Sequence, residues 1–113
     1  MRLFGSGRAV GNDMEVSISG VEEAIVSGSH CILDVRELDE WQAGHIAEAI
    51  HIPLGELSRR LGELDTSKPI YTVCLSGSRS ELAAHMLTKA GFADVKSMQG
   101  GMSAWARAGK PYV

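Results

Sequence analysis

IYTVCLSGSRSELAAHMLTKAG, residues 70–91, joins a β-rich run to a run rich in Ala and Leu through a short polar loop. The first five residues favour a strand that ends at Cys74, and residues 80–91 favour a helix that ends at Gly91. A strand, a tight loop and a helix in this order are typical of α/β folds with parallel strands. One of only two cysteines lies in the polar loop, although cysteine is more often buried as a small apolar residue.

The same alternation of strand and helix extends on both sides of this segment. A capping-box spacing from Ser19 to Glu22 predicts a helix that ends near Gly28. Leucines at steps of three and four predict another helix over 54–64. The remaining predicted elements are strands at 14–18, 31–35, 49–52 and 94–98 and helices at 38–44 and 102–109. Together they predict one α/β domain over 14–113 with a mainly parallel sheet, preceded by a flexible tail at 1–13.

Composition excludes several classes of function. The chain has 113 residues, 44% of them hydrophobic and 22% charged, which is typical of a single soluble domain. Its net charge of −3 disfavours binding to nucleic acid or to an acidic membrane surface, and no apolar run is long enough to span a membrane. The first residues lack the apolar core of a secretory signal. Two cysteines form neither a disulfide framework nor a zinc site, so we expect a cytoplasmic protein.

Cys74 has a setting that favours a reactive thiol. It lies at the carboxyl end of a predicted strand, where open α/β sheets place their ligand sites. The helix that begins near Ser80 directs its positive end at the loop, and the N–H groups of 75–80 are able to converge on an anion. Gly77 permits a backbone conformation that a side chain obstructs, and Arg79 adds a positive charge. We therefore expect an ionised thiol, with a buried, inert cysteine as the alternative.

The chain resembles the rhodanese domain, a sulfurtransferase family, and in particular its single-domain members. The loop resembles the family pattern C-x-x-G-x-R-[SA] at Cys74, Gly77, Arg79 and Ser80. The entry pattern is matched at Asp34, Val35, Arg36, Glu40, Trp41, Gly44, His45, Ile46, Ile52, Pro53 and Leu54. The closing pattern is matched at Gly91, Phe92, Val95, Gly100, Gly101, Ala104, Trp105, Ala108, Gly109 and Pro111. The chain departs from the family at Glu48 and His51, which stand where glycine and asparagine are frequent.

The resemblance implies both a fold and a reaction. The fold is a rhodanese-like three-layer domain with about five mainly parallel strands flanked by helices. The reaction is thiosulfate sulfurtransferase activity, in which Cys74 takes sulfane sulfur as a persulfide and passes it to a thiol or to cyanide. The implied substrate-binding residues are Leu75, Ser76, Gly77, Ser78, Arg79 and Ser80. No cofactor and no metal are implied. The resemblance implies a monomer whose partners are the small sulfur donor and the acceptor, with a sulfur-relay protein as a further possible partner.

Several alternatives stay open at this stage. One alternative is that Asp34 and Arg36 form an ion pair that braces the site, and the other is that Arg36 reaches the donor anion. Arg79 has the same two alternatives: it ties the loop to the core or it holds the substrate. A rhodanese-like module that binds or regulates without turnover is the other functional class. Phosphatase chemistry is disfavoured because four residues separate Cys74 from Arg79, whereas cysteine phosphatases use five.

The remaining candidate residues are predicted to be structural. Cys31 begins its strand whereas Cys74 ends its own, so we expect about 13 Å between them, too far for a disulfide. Both tryptophans are expected to pack in the core or over the site. The four histidines lack the spacing of metal ligands.

Overall fold

A computed structural model describes residues 14–113; the tail predicted at 1–13 lies outside the described residues. Five parallel strands form one sheet in the order β1-β5-β4-β2-β3. The strands are β1 (Glu15–Val16), β2 (Cys31–Asp34), β3 (Ile50–His51), β4 (Ile70–Val73) and β5 (Val95–Met98). The helices are α1 (Ile18–Ser27), α2 (Leu38–Ala43), α3 (Leu54–Leu57), α4 (Ser78–Lys89) and α5 (Gly101–Arg107), with a 3₁₀ turn at Leu61–Glu63. The predicted parallel α/β architecture is confirmed.

Helices cover both faces of the sheet and give the domain three layers. On one face, α3 and α4 pack against β2 and β4 in a cluster that includes Leu33, Leu57, Leu87 and Cys74. On the other face, α1 and α5 form a second cluster around the buried Trp105. Alternate residues of a strand point to opposite faces, so β4 contributes side chains to both clusters. This places β4 at the centre of the molecule.

The predicted start of α1 is wrong by two residues. Ser17, not Ser19, has the extended backbone of an N-cap, and its Oγ accepts a hydrogen bond from the Gly20 N–H at 3.0 Å. Ser19 lies inside the helix, so its capping-box spacing to Glu22 has no capping function. At the other end, Gly28 stops the helix with φ +68°, as predicted.

The single helix predicted over 54–64 is also wrong. Only Leu54–Leu57 is α-helical, and a 3₁₀ turn follows at Leu61–Glu63. Gly55 and Gly62 weaken helix formation in this segment, while all four leucines still pack on the core. The leucine spacing therefore identified the buried face correctly but not a continuous helix.

Smaller corrections concern the ends of other elements. The strands predicted at 14–18 and 49–52 are only two residues long in the structure, and α4 begins at Ser78 instead of Ser80. No helix among residues 14–113 has the length and apolar character needed to cross a lipid bilayer.

Candidate active site

Two sheet neighbours bring the candidate residues to one edge. Strands β2 and β4 are paired so that Asp34 lies opposite Val73, and the Val35 N–H donates to the Val73 carbonyl at 2.9 Å. Cys74 and Arg36 therefore both lie just past the carboxyl end of the sheet. Cys31, which pairs with Ile70, lies at the opposite end of the same two strands. The predicted separation of the two cysteines follows from this register.

The loop from Cys74 to Ser80 folds around the sulfur. Gly77 has φ +115°, a conformation that L side chains rarely adopt, and its N–H donates to Cys74 Sγ at 3.0 Å. Cys74 itself is fully buried, and it belongs to the apolar cluster that includes Leu33 and Leu87. The side chains of Leu75, Ser76 and Ser78 are exposed and make no contact with the sulfur.

Most N–H groups of the loop are unused within the described part of the chain. Those of five residues donate no hydrogen bond to any atom of residues 14–113: Leu75, Ser76, Ser78, Arg79 and Ser80. Three of them belong to the first turn of α4, where the positive end of the helix dipole lies. The loop therefore offers an anion several unpaired donors close to Cys74.

A group of buried hydroxyls lies beneath the sulfur. Ser80 Oγ is 3.3 Å from Cys74 Sγ, donates to the Gly77 carbonyl at 3.1 Å and lies 2.6 Å from Ser97 Oγ on β5. Thr72 Oγ1 donates to the Ser80 carbonyl at 2.7 Å, which fixes the first turn of α4 against the sheet. Sequence reasoning missed Ser97 and Thr72, whose only signal was a hydroxyl residue within a predicted strand.

The N-terminus of α5 holds the carbonyl groups on the other side of the loop. The Met102 N–H donates to the Cys74 carbonyl at 2.8 Å, and the Ser103 N–H donates to the Leu75 carbonyl at 3.0 Å. Gly101 makes this approach possible, because a Cβ there would lie only 2.4 Å from the Leu75 carbonyl oxygen. The contact of this glycine with the loop was not predicted from the sequence.

Arg79 forms an ion pair with Glu40 on α2. Its Nη1 and Nη2 donate to the two carboxylate oxygens of Glu40 on α2 at 2.7 and 2.9 Å. The hydrogen bonds from Arg79 lower the pKa of Glu40 to about 2, and the same pairing raises the pKa of Arg79. The side chain of Arg79 therefore ties the loop to α2, which is one of the two roles left open by the sequence.

Asp34 and Arg36 form the predicted ion pair. Arg36 Nε and Nη2 donate to the Asp34 carboxylate, with Nη2 at 2.8 Å from Oδ2, and Nη2 also donates to the Gly44 carbonyl at 2.7 Å. Both side chains are almost fully buried, so neither is able to exchange its partner for bulk water without a local opening. The pair braces the segment between β2 and the end of α2.

The other candidate residues pack around this edge. Trp41 stacks on His45 with ring centroids 3.6 Å apart and on His51 at 4.8 Å. His45 Nδ1 is 2.8 Å from the Trp41 carbonyl oxygen, as expected for a histidine in a turn. Cys31 is half-buried against the core, and this burial raises the pKa of its thiol. All these positions agree with structural roles.

Comparisons of the sequence and of the structure with known proteins agree on one family. Residues 18–108 match the Rhodanese-like domain family. The chain is 41% identical over 92 residues to a "Putative sulfur carrier protein YrkF" from Bacillus subtilis, covering 80% of this chain but only 50% of that protein. It is 33% identical over 93 residues to the "Thiosulfate sulfurtransferase GlpE" of Shewanella oneidensis, covering 82% and 92% of the two chains. A crystal structure of a rhodanese-related protein from Thermoplasma volcanium superposes with a TM-score of 0.81 at 31% identity, covering 88% of this chain and 96% of that one.

Proposed function

The chain belongs to the rhodanese-like domain family, and we propose that it is a sulfurtransferase that carries sulfane sulfur as a persulfide on Cys74. One observation carries this proposal. The Gly77 N–H lies 3.0 Å from Cys74 Sγ, within a loop whose other N–H groups have no acceptor among residues 14–113. Such a loop suits a sulfur atom that carries negative charge.

In the proposed first step, the Cys74 thiolate attacks the outer sulfur of a donor such as thiosulfate. A new S–S bond forms on Cys74, the S–S bond of thiosulfate breaks, and its electron pair leaves with sulfite. In the second step a thiol or cyanide takes the outer sulfur and returns Cys74 to the thiolate. An ionised thiol needs no general base, and the two half-reactions predict ping-pong kinetics.

The loop supplies the electrostatic stabilisation of the persulfide in this proposal. The outer sulfur lies one S–S bond, about 2 Å, beyond Sγ, within reach of donors on the rim of a loop this small. The site-binding residues of the proposal, Leu75 to Ser80, act through their peptide groups, and Asp34 and Arg36 support the site. Because Cys74 is fully buried, entry of the donor requires a displacement of the exposed part of the loop. We place the reaction in the cytoplasm, where unpaired cysteines such as these stay reduced.

The test is the intact mass of the purified protein before and after incubation with thiosulfate, followed by addition of cyanide. We expect a mass gain of one sulfur atom that cyanide removes as thiocyanate, and no gain in Cys74→Ser. Cys31→Ser is the matched control, because it removes the other thiol at the far end of the sheet. A mass gain that persists in Cys74→Ser and disappears in Cys31→Ser would refute the assignment of the persulfide.

A second candidate is a sulfur carrier that a partner protein loads. The similarity to a relative named as a putative sulfur carrier supports this candidate, and the chain spans only half of that relative's length. A carrier accepts sulfur from a persulfide-bearing protein but not from thiosulfate. Failure of thiosulfate together with loading by a protein persulfide would favour it, and failure of every donor would favour a module that binds without turnover.

A further inference from the structure

Arg36 is a buried arginine with an unused donor nitrogen. Its Nε and Nη2 donate to Asp34 and to the Gly44 carbonyl, whereas its Nη1 has no acceptor within residues 14–113. Only 5% of the side chain is exposed, so bulk water does not readily take the place of the missing partner. Buried polar groups are normally hydrogen-bonded, and a charged donor left without an acceptor is costly. This nitrogen therefore points to a ligand.

Arg36 lines a cavity of about 230 Å³ between α2 and α5. The other residues around the cavity are Glu40, Ala43, Gly44, Leu75, Met102, Ser103, Ala106 and Tyr112. Most of this wall is aliphatic, aromatic or backbone, which suits the apolar part of a small molecule. Leu75 directly follows Cys74, so the cavity begins beside the loop that carries the reactive sulfur.

The unused side-chain polar groups of the cavity are all able to donate hydrogen bonds, and its hydroxyls are also able to accept them. In addition to Arg36 Nη1, the hydroxyls of Ser103 and Tyr112 form no hydrogen bond within the described range 14–113. The one carboxylate in the wall, Glu40, has both oxygens bound by Arg79. A ligand that matches this set carries an anionic head with several acceptor oxygens, joined to an apolar body.

We propose that this cavity binds the sulfur acceptor, a small thiol that has a short apolar chain and a carboxylate. The proposal rests on the sulfurtransferase function proposed above and names the substrate class of that site. Thiosulfate does not match the cavity, because it is polar on all sides and leaves the apolar wall without a partner. The carboxylate lies on Arg36 Nη1, and the chain places the thiol toward the Cys74 loop.

The transfer balances without an oxidant or a reductant. The acceptor sulfur attacks the outer sulfur of the Cys74 persulfide and forms the S–S bond of a new, small persulfide. The bond between the outer sulfur and Sγ breaks, and its electron pair stays on Cys74 as the thiolate. The proton of the acceptor thiol leaves with the product persulfide.

The experiment compares three acceptors with thiosulfate as the saturating donor: cyanide, 3-mercaptopropionate and 3-mercaptopropionamide. Wild-type protein should prefer the acid to the amide by about tenfold in kcat/KM, because the amide lacks the negative charge and one of the two acceptor oxygens of the carboxylate. Ala106→Leu adds a larger side chain to the cavity wall and narrows the cavity, so it should lower kcat/KM for the acid by about tenfold and leave the cyanide reaction unchanged. Ala108→Leu is the matched control at the end of the same helix, outside the cavity wall, and should change neither.

Three results would overturn the proposal: equal rates with the acid and the amide, no effect of Ala106→Leu on the thiol, or an equal loss with thiol and cyanide. A second readout does not depend on turnover. Adding 3-mercaptopropionate should shift the backbone amide NMR signals of Gly44 and Ser103, and Ala106→Leu should abolish the shift. NMR shifts without any sulfur transfer to cyanide would support the binding site and refute the proposed function. Sulfur transfer to cyanide without NMR shifts would support the proposed function and refute the binding site.

Discussion

Gly101 offers the sharpest test of how the loop around Cys74 is held. In Gly101→Ala, the new Cβ would lie 2.4 Å from the Leu75 carbonyl oxygen and 2.6 Å from that of Cys74. Real Cβ atoms stay beyond 3.0 Å, so the loop or the helix must move by about 0.6 Å or more. Such a movement strains or breaks the two hydrogen bonds from the start of α5 to these carbonyls.

The expected cost has two parts. Alanine in the left-handed conformation, which Gly101 adopts at φ +60°, costs about 1–2 kcal/mol. Two hydrogen bonds with a net contribution of about 1 kcal/mol each add about 2 kcal/mol. Gly109→Ala is the matched control, because Gly109 has φ +73° but a Cβ added there would have no atom within 4 Å, so only the first part applies.

Urea and thermal unfolding of the two variants separate these parts. Gly101→Ala should lose about 3–4 kcal/mol, a fall in Tm of roughly 12 °C or more, whereas Gly109→Ala should lose about 1–2 kcal/mol. Sulfur transfer should fall at least about tenfold in Gly101→Ala alone, because the loop around Cys74 is displaced. Equal losses of stability in both variants would refute the idea that α5 holds the loop through this close approach.

Three further predictions concern the loop and its ion pair. Cys74→Ser should lower the rate of sulfur transfer, measured as thiocyanate release, by at least about a thousandfold. Its free energy of unfolding, measured in urea, should change by about 1 kcal/mol or less. The pKa of Glu40 is lowered to about 2 from an ordinary 4.5, so its pairing with Arg79 stabilises the fold fully above pH 4.5 and is lost as the pH falls toward 2. Because the pair is partly exposed, Glu40→Gln should cost only about 1 kcal/mol at neutral pH and clearly less at pH 2, where about half of the Glu40 carboxyl groups are protonated, and an equal cost at both pH values would contradict the pairing. Ser97→Ala should slow alkylation of Cys74 by iodoacetamide about threefold, but have no effect in a Ser80→Ala background, since Ser97 reaches the sulfur only through Ser80.

The parts of the site that are local in sequence could be predicted from the sequence. Strand β4 and the glycine at 77 lie within a few residues of Cys74, and each has a local chemical signal. Helix α4 was predicted as well, although its start was placed two residues late. The Asp34–Arg36 pair was predictable for the same reason. The sequence also left open that Arg36 reaches the donor anion; in the site proposed above, Arg36 instead binds the carboxylate of the acceptor.

The parts that depend on distant segments could not be predicted. Arg79 is 39 residues away from Glu40 along the chain, and the two side chains meet only in the folded structure. The same holds for Ser97, which reaches Ser80 because β5 lies next to β4. The segment 54–64 was mispredicted for a local reason. The leucine spacing correctly identified the buried face, but two glycines within the segment disfavour a continuous helix.

The unpaired N–H groups of the loop also make this region a natural reporter in hydrogen-exchange measurements. Amides of β4 are hydrogen-bonded between two neighbouring strands and should exchange with solvent deuterium only on large opening events. The loop that follows this strand contains three amides with no such bond within residues 14–113, those of Leu75, Ser76 and Ser78. These amides should exchange within the shortest labelling times. A persulfide or another anion held by the loop would slow exchange at these few positions and leave β4 unchanged. The occupancy of the site is thus readable two residues away from β4, a strand whose amides should exchange only on large opening events.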